Sequence, residues 1–448
     1  MLLALYSLAL LLVLVVGAPF WLVRMATAGK YREGLWQRLG LVPRALREAV
    51  GGRRVIWVHA VSVGEVLAAS RLILALRERS GCTVVVSTTT RTGQRLARER
   101  FGSALGAGTV FYFPLDFAFA VRAYLRVLRP RMVVLLETEF WPRLLTECRR
   151  GEIPVCVVNA RISDRSWPRY YRLRFLWRHL LAHFTAVLAQ SELDAERLRA
   201  LGAANAQAAG NLKYDIAPQR PLQRSGPVAG DSAARTPATA VELIQQHLPQ
   251  QARVLVCGST CGQGSESEER LLLAALPPDV VTILAPRHPE RFETVAHMLD
   301  QSGRVWHRRS VWAAQPVPLA SGSVLLLDSI GELASLYALA TVAFVGGSLL
   351  PLGGHNPLEP AQFAVPVVMG EHYANFRGVV AALEAEDALR LTTPAALGST
   401  LAGLLAYPEQ ARAMGERARM VCEREAGATE RAVNTLLVVL EKEREGLR

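Results

Sequence analysis

The chain carries little that marks a metal or redox protein. Its six cysteines, Cys82, Cys148, Cys156, Cys257, Cys261 and Cys422, include no CxxC pair. Zinc-ribbon and dithiol patterns are therefore excluded, and buried thiols of a cytoplasmic protein are the remaining account. No glycine run ends in the lysine of a Walker A loop and no GxGxxG occurs, so nucleotide hydrolysis and dinucleotide chemistry both lack their phosphate loop. Short-period repeats are absent too. No metal ion and no organic cofactor is expected.

Charge is missing altogether from Leu2 to Val23, LLALYSLALLLVLVVGAPFWLV, a run near the roughly 20 residues that span a bilayer. Without the basic start of a cleaved signal peptide it predicts an uncleaved membrane anchor over residues 1–24. After Arg24 a basic segment, 25–54, follows with Lys30, Arg32, Arg38, Arg44, Arg47, Arg53 and Arg54 around Trp36, against only Glu33 and Glu48. By the positive-inside rule the rest of the chain faces the cytoplasm, and the basic segment suits an anionic lipid surface. The net charge of +12 has the same sign of partner.

With 448 residues the chain is too long for one core. From Val55 onward short β-branched runs alternate with amphipathic helices: VIWVHA, TVVVST, TVFYFP, MVVLLE, VCVVNA and AVLAQS, then RVLVCGS, VVTILAP, SVLLLD, TVAFVGG and VPVVMG. That alternation predicts two α/β, Rossmann-like doubly wound domains, 55–214 and 251–425, whose strand ends face one cleft. Residues 215–250, rich in Pro, Ser, Gly and Ala, read as a linker or variable loop, and 426–448 as a C-terminal helix in a tail that packs across the domain junction. Tyr170 to Phe184 reads as core helix.

Candidate chemistry gathers after the strands. In HAVSVGE a Ser and Gly turn opens a helix with Glu65, where a helix start would attract an anion rather than supply one. The dipole there favours an ionised carboxylate, and a structural acid at the helix start is the plain alternative. In the second half, Ser259, Thr260 and Cys261 follow one strand, Pro286 and Arg287 another, and Ile330, Gly331 and Glu332 a third. GGSLLPLGGHNPLEPA then joins glycines to His355, Asn356, Pro357, Leu358 and Glu359. Glycines let a backbone wrap a phosphate, Pro at a helix start leaves the neighbouring N–H groups free, and a glutamate can take both hydroxyls of a ribose. No Asp-x-Asp pair is present, so a leaving phosphate would rely on cations such as Arg287, Lys213 and Arg91.

Taken in order, HAVSVGE, STTTRTG, LLETEFWPRLL, VNARIS, GNLKYD, LAPRHPERF, DSIGELASLY and VAFVGGSLLPLGGHNPLEPA resemble the 3-deoxy-D-manno-octulosonic acid (Kdo) transferases of Gram-negative bacteria along nearly the whole chain. The resemblance implies a GT-B type glycosyltransferase at the cytoplasmic face of the inner membrane. It would move Kdo from CMP-Kdo to the lipid A precursor, lipid IVA, with inversion at the anomeric carbon. It further implies Glu65 as general base and Glu137 with Lys213 as transition-state stabilisers. Pro286, Arg287, Ile330 to Glu332 and Asn356 to Glu359 then hold CMP, with Arg91, Ser259, Thr260 and His355 as further donor contacts. Cys261 and the longer segment after it stand where the family commonly has a His, so no donor contact is carried to that side chain. No nucleic acid partner is implied. A sugar-nucleotide epimerase of the same build is the alternative activity, and a non-catalytic membrane-bound binding protein the alternative outside enzymes.

Overall fold

β-branched and apolar runs bounded by glycine or capping residues become buried strands in the computed structural model, which describes residues 2–28, 33–215, 239–263 and 266–445. The linker residues 216–238 lie outside it. Contacts divide the chain into two units, 1–216 with 425–448, and 217–424.

In the first unit β1 (Val55–His59), β2 (Thr83–Thr88), β3 (Val110–Tyr112), β4 (Pro130–Leu136), β5 (Val155–Ala160), β6 (Ala186–Ala189) and β7 (Ala206–Ala208) form one sheet. Its order is β3-β2-β1-β4-β5-β6-β7 and every pairing is parallel, with His59 opposite Ser87 on one side and Leu135 on the other. The order reverses between β1 and β4, which in such sheets opens a crevice at the carboxyl ends of those two strands. One face buries Trp57, Val133, Leu135 and Val157. The other buries Ile56, Val58, Val134 and Leu72 together with Ala432, Val433 and Leu436 of the last helix, Ala428–Glu445.

The second unit contains β8 (Val254–Thr260), a small antiparallel hairpin of β9 (Gly262–Gln263) and β10 (Glu266–Ser267), then β11 (Val281–Pro286), β12 (Trp306–Arg308), β13 (Val324–Leu326), β14 (Val342–Val345), β15 (Val367–Gly370) and β16 (Leu389–Thr392). Its parallel sheet runs β12-β13-β11-β8-β14-β15-β16 and reverses between β8 and β14. Within the two parallel sheets the strands that the sequence pattern does not announce, β7, β12 and β16, are all edge strands. At an edge only one side is paired, so a short polar run such as Trp306-His307-Arg308 suffices.

Three expectations change. Within 215–250, Ala240–His247 is a helix with a Thr239–Glu242 capping box and a fully buried Ile244, not linker. Tyr170 to Phe184 is not one continuous core helix but parts of two short helices, Trp167–Arg172 and Arg174–Leu181, that cover the core: Leu181 and Phe184 are buried in it, Tyr170, Trp177 and Leu180 pack against it, and Leu173 and Phe175 are exposed. The tail contributes a helix to each unit, which leaves the expectation of packing at the junction untested: Gly415, in the helix Pro408–Glu425, lies so close to Ala364 that an added Cβ would sit 1.9 Å from its carbonyl oxygen, and the last helix completes the first unit's core. Finally, a helix Leu2–Ala28 forms at the N-terminus, but among the described residues no helix is long and apolar enough to cross a membrane, and a spanning anchor is not shown. That helix meets the first unit through polar groups: Tyr6 donates to Asp116 (3.0 Å), and Arg143 donates to Ser7 and to the Leu3 carbonyl (both 2.8 Å). Leu8, Leu12, Val16 and Phe20 are exposed.

Candidate active site

Glu65 and Glu137 follow β1 and β4, the two strands that flank the reversal of the first sheet. Ser62 caps the helix Val63–Ala68, accepting from the Glu65 N–H while its own hydroxyl donates to Glu65 Oε1 (2.9 Å); the Val61 N–H donates to Oε2 (2.7 Å). This reciprocal box places the carboxylate back over the strand end. Glu65 is only 8% exposed. Burial first, then the charge of Glu137, push its carboxyl up to about 7 despite the two hydrogen bonds. The helix start does not, therefore, keep Glu65 a fully ionised acid as the sequence suggests; loss of hydration outweighs the N–H groups.

Glu137 has a left-handed backbone, φ 56°, where a non-glycine residue costs of order 1–3 kcal/mol. Glu139, two residues on, is also raised, by burial and then by Glu137. Lys213 balances these acids. It lies in the 3₁₀ turn Leu212–Asp215, and burial lowers its ammonium while the charges of Glu137 and Glu65 act to hold it protonated.

Two residues fix the lysine turn. Asn159, at the end of β5 with φ 60°, accepts from the Leu212 N–H (3.0 Å) and, through its carbonyl, from Gln190 (3.1 Å). Asp215 receives the Gly427 N–H (2.6 Å) and the Thr429 N–H, capping the last helix. The final helix thereby secures the loop that carries the catalytic candidate. His59, at the end of β1, is fully buried, stacked on Phe113 at 3.9 Å and bonded through Nδ1 to Ser87; burial drives it down to about 3, a neutral ring. Arg91 is exposed and pairs with Glu33 at 3.1 Å.

The second unit gathers its candidates at the carboxyl edge of its own sheet. Arg287 is exposed just past β11, its N–H donating to the Thr260 carbonyl at 2.9 Å. His355 is partly buried, with Nε2 3.4 Å from Cys261 Sγ; burial and then Arg287 lower it to about 4. Burial, Glu268 and Glu269 push the Cys261 thiol up to about 12, so it is a protonated thiol at neutral pH. Asn356 Oδ1 accepts from the Leu358 N–H at 3.1 Å, and Pro357 precedes the short helix Leu358–Ala361. Glu359 is raised by burial, opposed by the charge of Arg287. Ile330 is 82% exposed, Gly331 has φ 92°, and Glu332 pairs with Arg309 at 3.1 Å. Ser259 has φ 55° and the Thr260 hydroxyl donates to Glu269 at 2.9 Å.

The glycine-rich loop departs from its expected use. The N–H groups of Gly347, Ser348 and Leu349 all donate to Glu268, at 2.6, 2.9 and 2.9 Å, so this part of the cradle holds a side-chain carboxylate rather than a phosphate. Glu268 opens the helix Glu268–Ala275, 79 to 81 positions before these donors, and no sequence motif links the two. Neighbouring Glu269 is equally buried and pairs with Arg291 at 2.8 Å. Gly258 is glycine for a steric reason: a Cβ there would lie 1.9 Å from the Tyr337 hydroxyl. Among the described residues no group of three or more His, Cys, Asp or Glu is placed to hold a metal ion.

Comparison with known proteins adds four likenesses. The sequence model described as 3-Deoxy-D-manno-octulosonic-acid transferase (kdotransferase) matches residues 33–216. The chain is 31% identical to the 3-deoxy-D-manno-octulosonic acid transferase of Haemophilus influenzae, covering 92% of this chain and 93% of that one, and 35% identical to that of Bordetella pertussis, covering 85% and 86%. In structure it is similar to a glycosyltransferase from Rickettsia africae, with a TM-score of 0.52, 10% identity and coverage of 87% and 98%. That last likeness is one of fold: two parallel-sheet α/β domains of the GT-B type.

Proposed function

This chain belongs to the 3-deoxy-D-manno-octulosonic acid transferase family, and from that premise we propose that it moves Kdo from CMP-Kdo to a hydroxyl of lipid IVA, inverting the anomeric carbon. The observation that carries the reading is Glu65, a nearly buried carboxyl raised to about 7 beside Glu137 and Lys213 at the first sheet's reversal. A base with a pKa near the working pH combines a large ionised fraction with real proton affinity.

The acceptor oxygen forms a bond to the anomeric carbon as the bond from that carbon to the CMP phosphate oxygen breaks. Glu65 takes the acceptor's proton, and the bonding pair departs with CMP. Positive charge grows on the sugar ring as in other glycosyl transfers, and Glu137 stabilises it. Lys213 offsets the negative charge of the paired acids. In the second unit Arg287 receives the phosphate, while Glu359 and the Ile330–Glu332 turn hold the nucleoside. Ser259, Thr260 and His355 border that site; the Thr260 hydroxyl gives its proton to Glu269 and can therefore only accept from a ligand.

The acceptor is a lipid, and the exposed apolar side chains of the Leu2–Ala28 helix, with Trp36, Leu41 and Phe119 exposed on the same unit, are read as the surface that attaches the enzyme to the cytoplasmic face of the inner membrane. Basic residues of 25–54 favour anionic headgroups there. Purified protein supplied with both CMP-Kdo and lipid IVA is expected to release CMP faster than with CMP-Kdo alone; equal rates would remove the transferase reading.

A further inference from the structure

The Glu268 carboxylate is wholly buried and accepts four main-chain N–H groups. Oε2 takes those of Cys261 (2.9 Å) and Gly347 (2.6 Å), and Oε1 those of Ser348 and Leu349 (both 2.9 Å). Successive N–H groups converging in a turn form a concavity suited to an anion. Here the protein supplies that anion itself. Burial still raises the carboxyl, so the four donors only partly replace its hydration.

The four N–H groups come from two different loops. One follows β8 and carries Cys261; the other follows β14 and leads to His355 and Glu359. These are the two strands that flank the reversal of the second sheet. Two more contacts show the loops are fitted to each other: Cys261 Sγ lies 3.4 Å from His355 Nε2, and an added Cβ on Gly347 would come within 2.8 Å of the His355 ring. The His355 ring therefore rests on the turn that Glu268 holds. Gly346 is packed as closely, its Cβ position 2.5 Å from the Ser259 carbonyl oxygen.

We propose that Glu268 is a positioning residue for the donor: its carboxylate binds the β8 and β14 loops together and so sets where His355 and the Asn356–Glu359 turn meet the nucleotide. The proposal rests on the donor reading of the second unit. It also assigns the donor phosphate to Arg287 rather than to the glycine-rich turn, because a filled nest repels a second anion. Glu268→Gln keeps the shape but turns an NH₂ toward N–H groups, leaving buried donors unpaired.

The test uses the full chain. Glu268→Gln should raise KM for CMP-Kdo and Kd for CMP by about tenfold or more, with kcat within about threefold of wild type. A fall in kcat with unchanged KM and Kd would mean a merely structural role and overturn the proposal. Should the variant not fold, amide hydrogen exchange on the wild type decides: the amides of Gly347, Ser348 and Leu349 should be protected without ligand and unchanged by CMP. Free exchange that CMP abolishes would make the nest the phosphate site and overturn it. Failure of the wild type to bind CMP at all would remove the donor reading itself, an outcome separate from either of these.

Discussion

Replacing Glu65 by Gln tests the proposed base and its environment together. The amide keeps an oxygen for the Val61 N–H, which the carboxylate accepts at 2.7 Å, so the local box survives while proton affinity is lost. Activity should fall by about 10² to 10⁴, with CMP affinity unchanged because the nucleotide residues lie in the other unit. Wild-type kcat/KM should rise with pH to an apparent pKa near 7 and level off above it, since the base acts when ionised. The same shift has a stability consequence. Taking Glu65 from 4.5 to about 7 corresponds to roughly 3 kcal/mol. The native pKa is raised, so the folded state holds the proton more tightly: the relative stabilisation is fully present below about pH 4.5 and is lost as pH rises through about 7. The Gln variant carries none of this dependence. Thermal unfolding of both proteins across that window should therefore show the wild type losing ground to the variant by up to roughly 3 kcal/mol. An acid limb near 4.5 in the rate profile, or full activity in the variant, would refute the reasoning.

Three more outcomes are expected. Arg287→Ala should weaken CMP binding by about 10- to 100-fold in calorimetry, the loss typical of a charge-assisted hydrogen bond of roughly 1.5–3 kcal/mol; unchanged affinity would place the phosphate elsewhere. Gly258→Ala drives a methyl to 1.9 Å from the Tyr337 hydroxyl and should cost about 1–3 kcal/mol in denaturant unfolding, whereas wild-type stability would mean that the ring has room to move. Leu8→Glu with Leu12→Glu, both exposed on the N-terminal helix at 63% and 62%, should sharply reduce co-flotation with anionic vesicles; undiminished flotation would contradict membrane attachment through this helix.

Much of the fold was legible because buried parallel strands are written as continuous β-branched runs: VVVST and VVLL announce β2 and β4 without ambiguity. The edge strands β7, β12 and β16 were not, since pairing on one side leaves composition free. Ala240–His247 was hidden by its neighbours, a capped helix directly after a Pro and Ser-rich stretch. At the site, order along the chain placed Glu65 and Glu137 at strand ends, but their mutual effect depends on β1 lying beside β4, a pairing of residues far apart in sequence. The same limit concealed Glu268. Its partners are 7 and 79 to 81 positions away, and a glycine loop in sequence looks the same whether a phosphate or the chain's own carboxylate fills it. The N-terminal run shows the reverse: composition predicted a span, and the structure shows a helix fastened by Tyr6 and Ser7 to Asp116 and Arg143.

The most direct measurement of the central claim is mass spectrometry of lipid IVA incubated with the purified protein and CMP-Kdo generated in place, with anomeric NMR of the product. The account predicts lipid carrying added Kdo, inverted relative to the donor and absent with Glu65→Gln. Unmodified lipid alongside correctly folded, CMP-binding protein would contradict it.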